Sequence, residues 1–181
     1  MLEALITSKT RIKLLLKFFL NSSNRDYLRG LESEFGDSTN SIRIELNKLE
    51  AAGLLESNSN GNKKIFNANL KHPLFPEIKS ILMKFTGLDQ LFITVINQLG
   101  DLHEVYLIGD LGRGVDSELI DLVFVGNVNR EYLNVLIEKA EKHIKKKIRY
   151  VLFSIDEFIE KKDLIITNKD LLLWKNDKAV V

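Results

Sequence analysis

Ser38-Thr39-Asn40-Ser41-Ile42-Arg43-Ile44-Glu45-Leu46-Asn47-Lys48-Leu49-Glu50-Ala51-Ala52-Gly53 is the stretch on which the reading of the first half turns. Ile42, Leu46 and Leu49 recur at helical spacing, which leaves Asn40, Arg43 and Asn47 together on the other face. Asp37 or Ser38 can cap the start of this helix, and Gly53 stands in the usual place just past its end. Upstream, Ile12, Leu15, Leu16 and Phe19 mark one helix, Asn21-Ser22-Ser23-Asn24 breaks it, and Leu28, Leu31 and Phe35 mark a second that stops before Gly36. Downstream, Leu54–Ser57 and Lys63–Asn67 flank Asn58-Ser59-Asn60-Gly61-Asn62, which reads as a β-hairpin with its tip at Asn60-Gly61.

Three helices followed by a hairpin is the order of a winged helix-turn-helix. In such a unit the third helix keeps one stripe on the core and offers hydrogen-bonding side chains to base edges and phosphates. Arg43 can grip guanine O6 and N7, Asn40 and Asn47 can grip adenine, and Ser38, Thr39 and Ser41 suit phosphate oxygens near the helix start. Lys63 and Lys64 on the hairpin can reach backbone phosphate or the neighbouring minor groove. The stretch from Ser8-Lys9-Thr10-Arg11 through Asp26-Tyr27-Leu28-Arg29 to Lys63-Lys64-Ile65-Phe66 resembles bacterial winged-helix regulators of the broad ArsR-like type, with the Leu46 to Leu54 ending of the recognition helix leading into the wing. That resemblance covers about residues 5 to 72 and implies double-stranded DNA as partner. Gly30, inside helix two, departs from it at a cost near 1 kcal/mol of helix propensity.

At 181 residues, 45% hydrophobic and 28% charged, the chain has enough apolar mass for one core or two small ones. A net charge of +1 excludes a uniformly basic polyanion-coating protein. The balance hides an asymmetry: up to Gly87 there are 13 basic and 9 acidic residues, and beyond it 13 basic and 16 acidic, so two domains are expected. Absence of Cys removes disulfide scaffolds, zinc ribbons and thiol nucleophiles and fits a reducing cytoplasm. The runs Leu14–Leu16 and Leu171–Trp174 fall far short of the roughly 20 residues that span a bilayer, and Met1–Ser8 lacks the pattern of a signal peptide. A cytoplasmic protein with no membrane partner is expected. Pro73 and Pro76 mark the boundary and open a helix from Glu77.

Beyond that helix, a helical segment Leu88–Leu99 precedes a strand Val105–Ile108, a Gly-rich turn and a strand Leu122–Val125. A helix from about Arg130 to Ile144, a strand Arg149–Phe153 and a short helix from Ile155 complete the pattern. Gly109-Asp110-Leu111-Gly112-Arg113-Gly114 is neither a P-loop nor a dinucleotide fingerprint. It resembles the Gly-Ser-x-Ala-Arg-Gly motif of the nucleotidyltransferase superfamily, with Glu118-Leu119-Ile120-Asp121-Leu122 in place of that family's Ser-Asp-Ile-Asp-Leu strand. The resemblance spans about residues 88 to 160 and implies a metal site built from carboxylates at i and i+2 of one strand. Asp121 keeps the second position, Leu119 stands at the first, Asp110 replaces the Ser that would hold the triphosphate, and Arg149 stands near the third acid's place. Arg113 is expected to neutralise Asp121 or Asp116. His72, His103 and His143 are too scattered for a metal site, Ser154 has no base beside it, and Lys145-Lys146-Lys147 reads as a solvated helix end.

The expectation is therefore an α+β chain: a winged helix domain over 1–72, a linker helix over 73–87, and a nucleotidyltransferase-like α/β domain with a mixed sheet over 88–181. Its function is read as a sequence-specific DNA-binding regulator, a homodimer paired through helix one and the linker residues Ile78, Ile81, Leu82 and Phe85. The second domain is expected to be no enzyme, with no catalytic residue, metal or cofactor, serving in sensing, dimerisation or partner binding, with a nucleotide or small molecule as effector. The alternative is an active, metal-dependent nucleotidyltransferase that uses Asp121 with Asp110, Asp116 or Glu118.

Overall fold

The computed structural model describes residues 2–144 and 146–176. Lys145, at the expected solvated helix end, lies outside the described residues. The chain divides into two compact units: one runs up to Phe85 with Gly114–Asp116, the other comprises Thr86–Arg113 and the chain from Ser117 onward.

The first unit opens with a short helix α1 (Leu2–Leu5) and with α2 (Lys9–Leu15), which Ser8 caps and which continues as a π-helical segment, Leu16–Leu20. A two-residue strand β1 (Asp26–Tyr27) comes next, then α3 (Leu28–Phe35) and α4 (Thr39–Ala51). Gly36 ends α3 at φ +67. Ser38 caps α4. The hairpin is β2 (Leu55–Asn60) and β3 (Lys63–Ala68), with Asn60 opposite Lys63, so the turn residues are Gly61 and Asn62, one position beyond the expected tip. β1 adds to β3 with Asp26 opposite Phe66, a third strand absent from the sequence expectation. Helix α5 (Phe75–Thr86) starts two residues before the expected Glu77, with Pro76 in its first turn where a missing N–H costs nothing.

Leu14, Leu16, Phe18, Phe19, Leu31, Ile42, Leu46, Leu49, Leu55, Phe66 and Leu82 form the apolar interior of this unit, and Phe19 stacks on Phe75 at 5.4 Å between ring centres. Leu82 is 1% exposed and therefore is not a surface residue available for pairing; Ile81, at 50%, is. Lys17 is buried at 2% exposure, its ammonium donating to both oxygens of Glu34 at 2.7 Å with Asp26 Oδ2 at 3.7 Å. The same Asp26 explains Gly30: a β-carbon there would overlap its Oδ1, so the weak helix former makes room for the carboxylate that faces Lys17.

Two ion pairs tie α2 to α4 and to the turn between α3 and α4. Arg11 Nε donates to Glu45 Oε2 at 2.7 Å, and Lys13 Nζ donates to Asp37 Oδ1 at 2.6 Å while Thr10 donates to Oδ2. Burial pushes both carboxyls up, but the hydrogen bonds and charges of Arg11 at Glu45, and of Lys13 and Thr10 at Asp37, outweigh it and hold both below their usual 4.5 and 3.8. A lowered folded value means stability that is complete above the unfolded value and lost as pH falls through the folded one. Urea unfolding of the first unit should keep a constant midpoint from pH 7 down to about 4.5 and shift to lower urea below it. The Glu45→Gln variant should show a shallower acid shift.

The second unit holds α6 (Leu88–Thr94) with a 3-10 turn at Ile96–Gln98, then β4 (Leu102–Ile108) and a one-turn helix α7 (Gly109–Gly112). β5 (Leu119–Gly126), α8 (Arg130–Ile144), β6 (Lys147–Phe153), α9 (Ile155–Ile165) and β7 (Leu171–Lys175) complete it. The sheet order is β6-β5-β4-β7; β5 and β6 run parallel and the other pairs antiparallel, a mixed sheet. α8 turns Leu133, Leu136, Ile137 and Ala140 inward. Tyr106, Val123, Val125 and Phe158 pack together on the face that α9 covers. Ser154 is the N-cap of α9, in a capping box with Glu157. Its hydroxyl has a structural role.

Candidate functional site

Helix α4 carries most of the residues proposed to read DNA. Its buried positions are Ile42, Glu45, Leu46 and Leu49, so a turn of 100° per residue sends Asn40, Arg43, Ile44, Asn47 and Lys48 to solvent, and all five are exposed. Beside it runs a groove of about 630 Å³ lined by Tyr27, Leu28 and Arg29 from the β1–α3 junction, Arg43, Leu46 and Asn47 from α4, and Asn62, Lys63, Lys64 and Phe66 from the hairpin. Four of these side chains are cationic and none is acidic. Among the described residues, the guanidinium groups of Arg29 and Arg43 have no carboxylate within salt-bridge distance.

The two hairpin lysines differ. Lys63 Nζ lies 4.4 Å from the centre of the Tyr27 ring, a cation on a π face that is still open to an anion. Lys64 donates to Glu50 Oε2 at 2.7 Å and sits over Phe66. Glu50 also accepts from Ser57, and the hydrogen bonds of Lys64 and then Ser57 hold its carboxyl below the usual value. At neutral pH, Lys64 is thus already paired.

The hydroxyls at the start of α4 are engaged as well. Ser38 Oγ accepts from the Ser41 backbone N–H and shares a hydrogen bond with Ser41 Oγ, while Thr39 Oγ1 donates to Glu32 Oε1 at 2.8 Å. These three act as cap and helix tie. Sequence reasoning missed Arg29 and Tyr27, because only the pairing of β1 with β3 brings them to the hairpin.

The Gly109 motif sits in the second unit, except for Gly114, which groups with the first. Gly109 has φ +70, and a β-carbon on it would stand 2.7 Å from Asp121 Oδ2, so this turn admits glycine alone. Asp110 is exposed and paired with Arg113 at 2.7 Å. Arg113 therefore does not neutralise Asp121. That role belongs to Arg149, which lies opposite Asp121 across the parallel β5–β6 pair and donates Nε to Oδ1 at 2.6 Å and Nη2 to Oδ2 at 2.9 Å. The hydrogen bonds and charge of Asp121 raise the Arg149 guanidinium further above its usual value. Leu119 opens β5, half-buried. Among the described residues no three His, Cys, Asp or Glu side chains are grouped so that they could hold a metal ion; Asp121 and Asp110 each face an arginine.

No family model matches the chain, and no curated protein matches it. A solved structure from Sulfolobus solfataricus, described as a putative nucleotidyltransferase, is similar at 23% identity with a TM-score of 0.35, covering 57% of this chain and 91% of that one. This finding stands against the expectation that the second domain is no enzyme, since the protein found similar is described as a putative nucleotidyltransferase, and that expectation is corrected accordingly. No helix among the described residues is long and apolar enough to cross a membrane.

Proposed function

We propose that the first unit is an ArsR-like winged helix that binds double-stranded DNA, that α4 is its recognition helix, and that the chain is a cytoplasmic, sequence-specific transcriptional regulator whose second unit is nucleotidyltransferase-like. The observation that carries this reading is the groove beside α4, where Arg29, Arg43, Lys63 and Lys64 converge without an acid in its lining. Cations gathered from three separate elements suit a polyanion, because each released counterion adds to affinity. Next to them, Asn40, Arg43 and Asn47 stand exposed on one helix with the hydrogen-bonding groups that match adenine and guanine edges. In the second unit, the order strand, glycine turn, strand, helix, parallel strand supports the proposed likeness.

The test is binding to duplexes selected from a random pool by the full-length protein. Arg43→Ala should weaken binding to the selected site by about 1–3 kcal/mol and relax base preference at one position. Unchanged affinity and selectivity would show that α4 does not read base edges.

One such unit covers only a short half-site, so a homodimer on two half-sites about 34–36 Å apart belongs to the same proposal. Light scattering at micromolar protein should give twice the 20.8 kDa chain mass, with or without DNA. A monomer under both conditions would remove the dimer from the proposal.

A further inference from the structure

Ile44 is 45% exposed, yet its neighbours one turn away on α4, Asn40, Ser41, Asn47 and Lys48, are all polar and exposed. It lies about 160° around the helix from Ile42 at 100° per residue, so no rotamer returns it to the core. Among the exposed positions of α4 it is the one bulky apolar side chain. Helix formation does not account for it, since a β-branched residue is a poorer helix former than Ala, Lys or Glu. Packing within the first unit still leaves 45% of it exposed. What remains is its place at the middle of the exposed face, flanked by two asparagines.

We propose that Ile44 is a specificity-determining residue that packs against the 5-methyl group of a thymine in the major groove. This rests on the reading of α4 as the recognition helix. The methyl is the bulky apolar feature on the major-groove edges of the four base pairs, standing among hydrogen-bond donors and acceptors and small C–H edges. Asn47 and Asn40 carry the amides that pair with adenine N6 and N7, so Ile44 between them suits a run of A·T pairs, with thymine beside the adenine that an asparagine grips. Contact removes apolar surface of both partners from water, and for one methyl-sized group the gain is about fourfold in affinity.

The experiment replaces each thymine of the selected duplex, one at a time, by deoxyuridine, which removes the methyl and keeps every hydrogen bond. Wild-type protein should bind about fourfold more weakly at one such position per half-site, and Ile44→Ala, with a better helix former, should bind the thymine and uracil duplexes equally. Wild type indifferent to every substitution overturns the proposal while leaving DNA binding in place. So does an Ile44→Ala protein that still discriminates. Failure to select any site would overturn the recognition-helix reading itself, and this inference with it.

Discussion

Lys17→Met should lower the unfolding free energy of the first unit by about 3–5 kcal/mol, the cost of removing one partner from a buried ionic cluster. Among the described residues the ammonium is the one cation within salt-bridge distance of Glu34 and Asp26, whose side chains are only 18% and 14% exposed. Met keeps most of the stem's packing, so the loss isolates the charge. Without it, two largely covered carboxylates lose the cation they share. The position also joins three elements, because Lys17 lies in the π-helical turn after α2, Asp26 in β1 and Glu34 in α3. The Lys17 carbonyl in turn accepts from the buried Asn24 amide at 2.8 Å. Trp174, the chain's one tryptophan, lies in β7 of the second unit, so the measurement is amide hydrogen exchange in α3 and α4 against urea rather than indole emission. A companion variant, Lys17→Met with Glu34→Leu and Asp26→Asn, should recover most of the loss, since replacing a whole buried cluster by apolar or neutral groups is often neutral. A loss under 1 kcal/mol in the single variant would mean that water reaches the carboxylates.

That cluster is half-legible in the sequence. A lysine inside Leu14-Leu15-Leu16-Lys17-Phe18-Phe19-Leu20 is out of place on any buried stripe and calls for an acid. Which acid answers depends on how α3 docks, and no local pattern encodes that. Elements with a strong period are legible: the Ile42, Leu46, Leu49 stripe, the glycines that end α3 and α4, and α8 from Arg130 to Ile144. Those without one are not. β1 has two residues and no period, and Leu171–Trp174 is a continuous apolar run that could equally be a buried helix turn, although it lies in the edge strand beside β4. The site shows the same division. Arg43 and Asn47 follow from helical phase alone. Arg29 needs the β1–β3 pairing, and the Arg149 clasp on Asp121 needs the register of two parallel strands 28 residues apart. A search for acids near Asp121 passes over the cation that holds it.

The groove also fixes how binding should respond to salt, with the largest expected change in affinity. Three of its cations, Arg29, Arg43 and Lys63, have no carboxylate partner among the described residues, whereas Lys64 is held by Glu50. If each free cation neutralises one phosphate, log K should fall with log salt at a slope of about −2.7 per bound protomer, or about 40-fold in affinity between about 50 and 200 mM. The variant with Arg29, Arg43 and Lys63 all changed to Ala should be nearly insensitive to salt and should lose its affinity for any duplex. Glu50→Gln is expected to act in the opposite direction. It frees Lys64 as a fourth cation while an amide at the same place can still accept from Ser57, so the slope should steepen by about 0.9 and binding at low salt should tighten. The pair is exposed, with Lys64 at 48% and Glu50 at 30%, so opening it costs the first unit little stability. A slope unchanged in Glu50→Gln would mean that phosphate already draws Lys64 away from Glu50, and a flat wild-type profile would mean that the groove does not meet DNA.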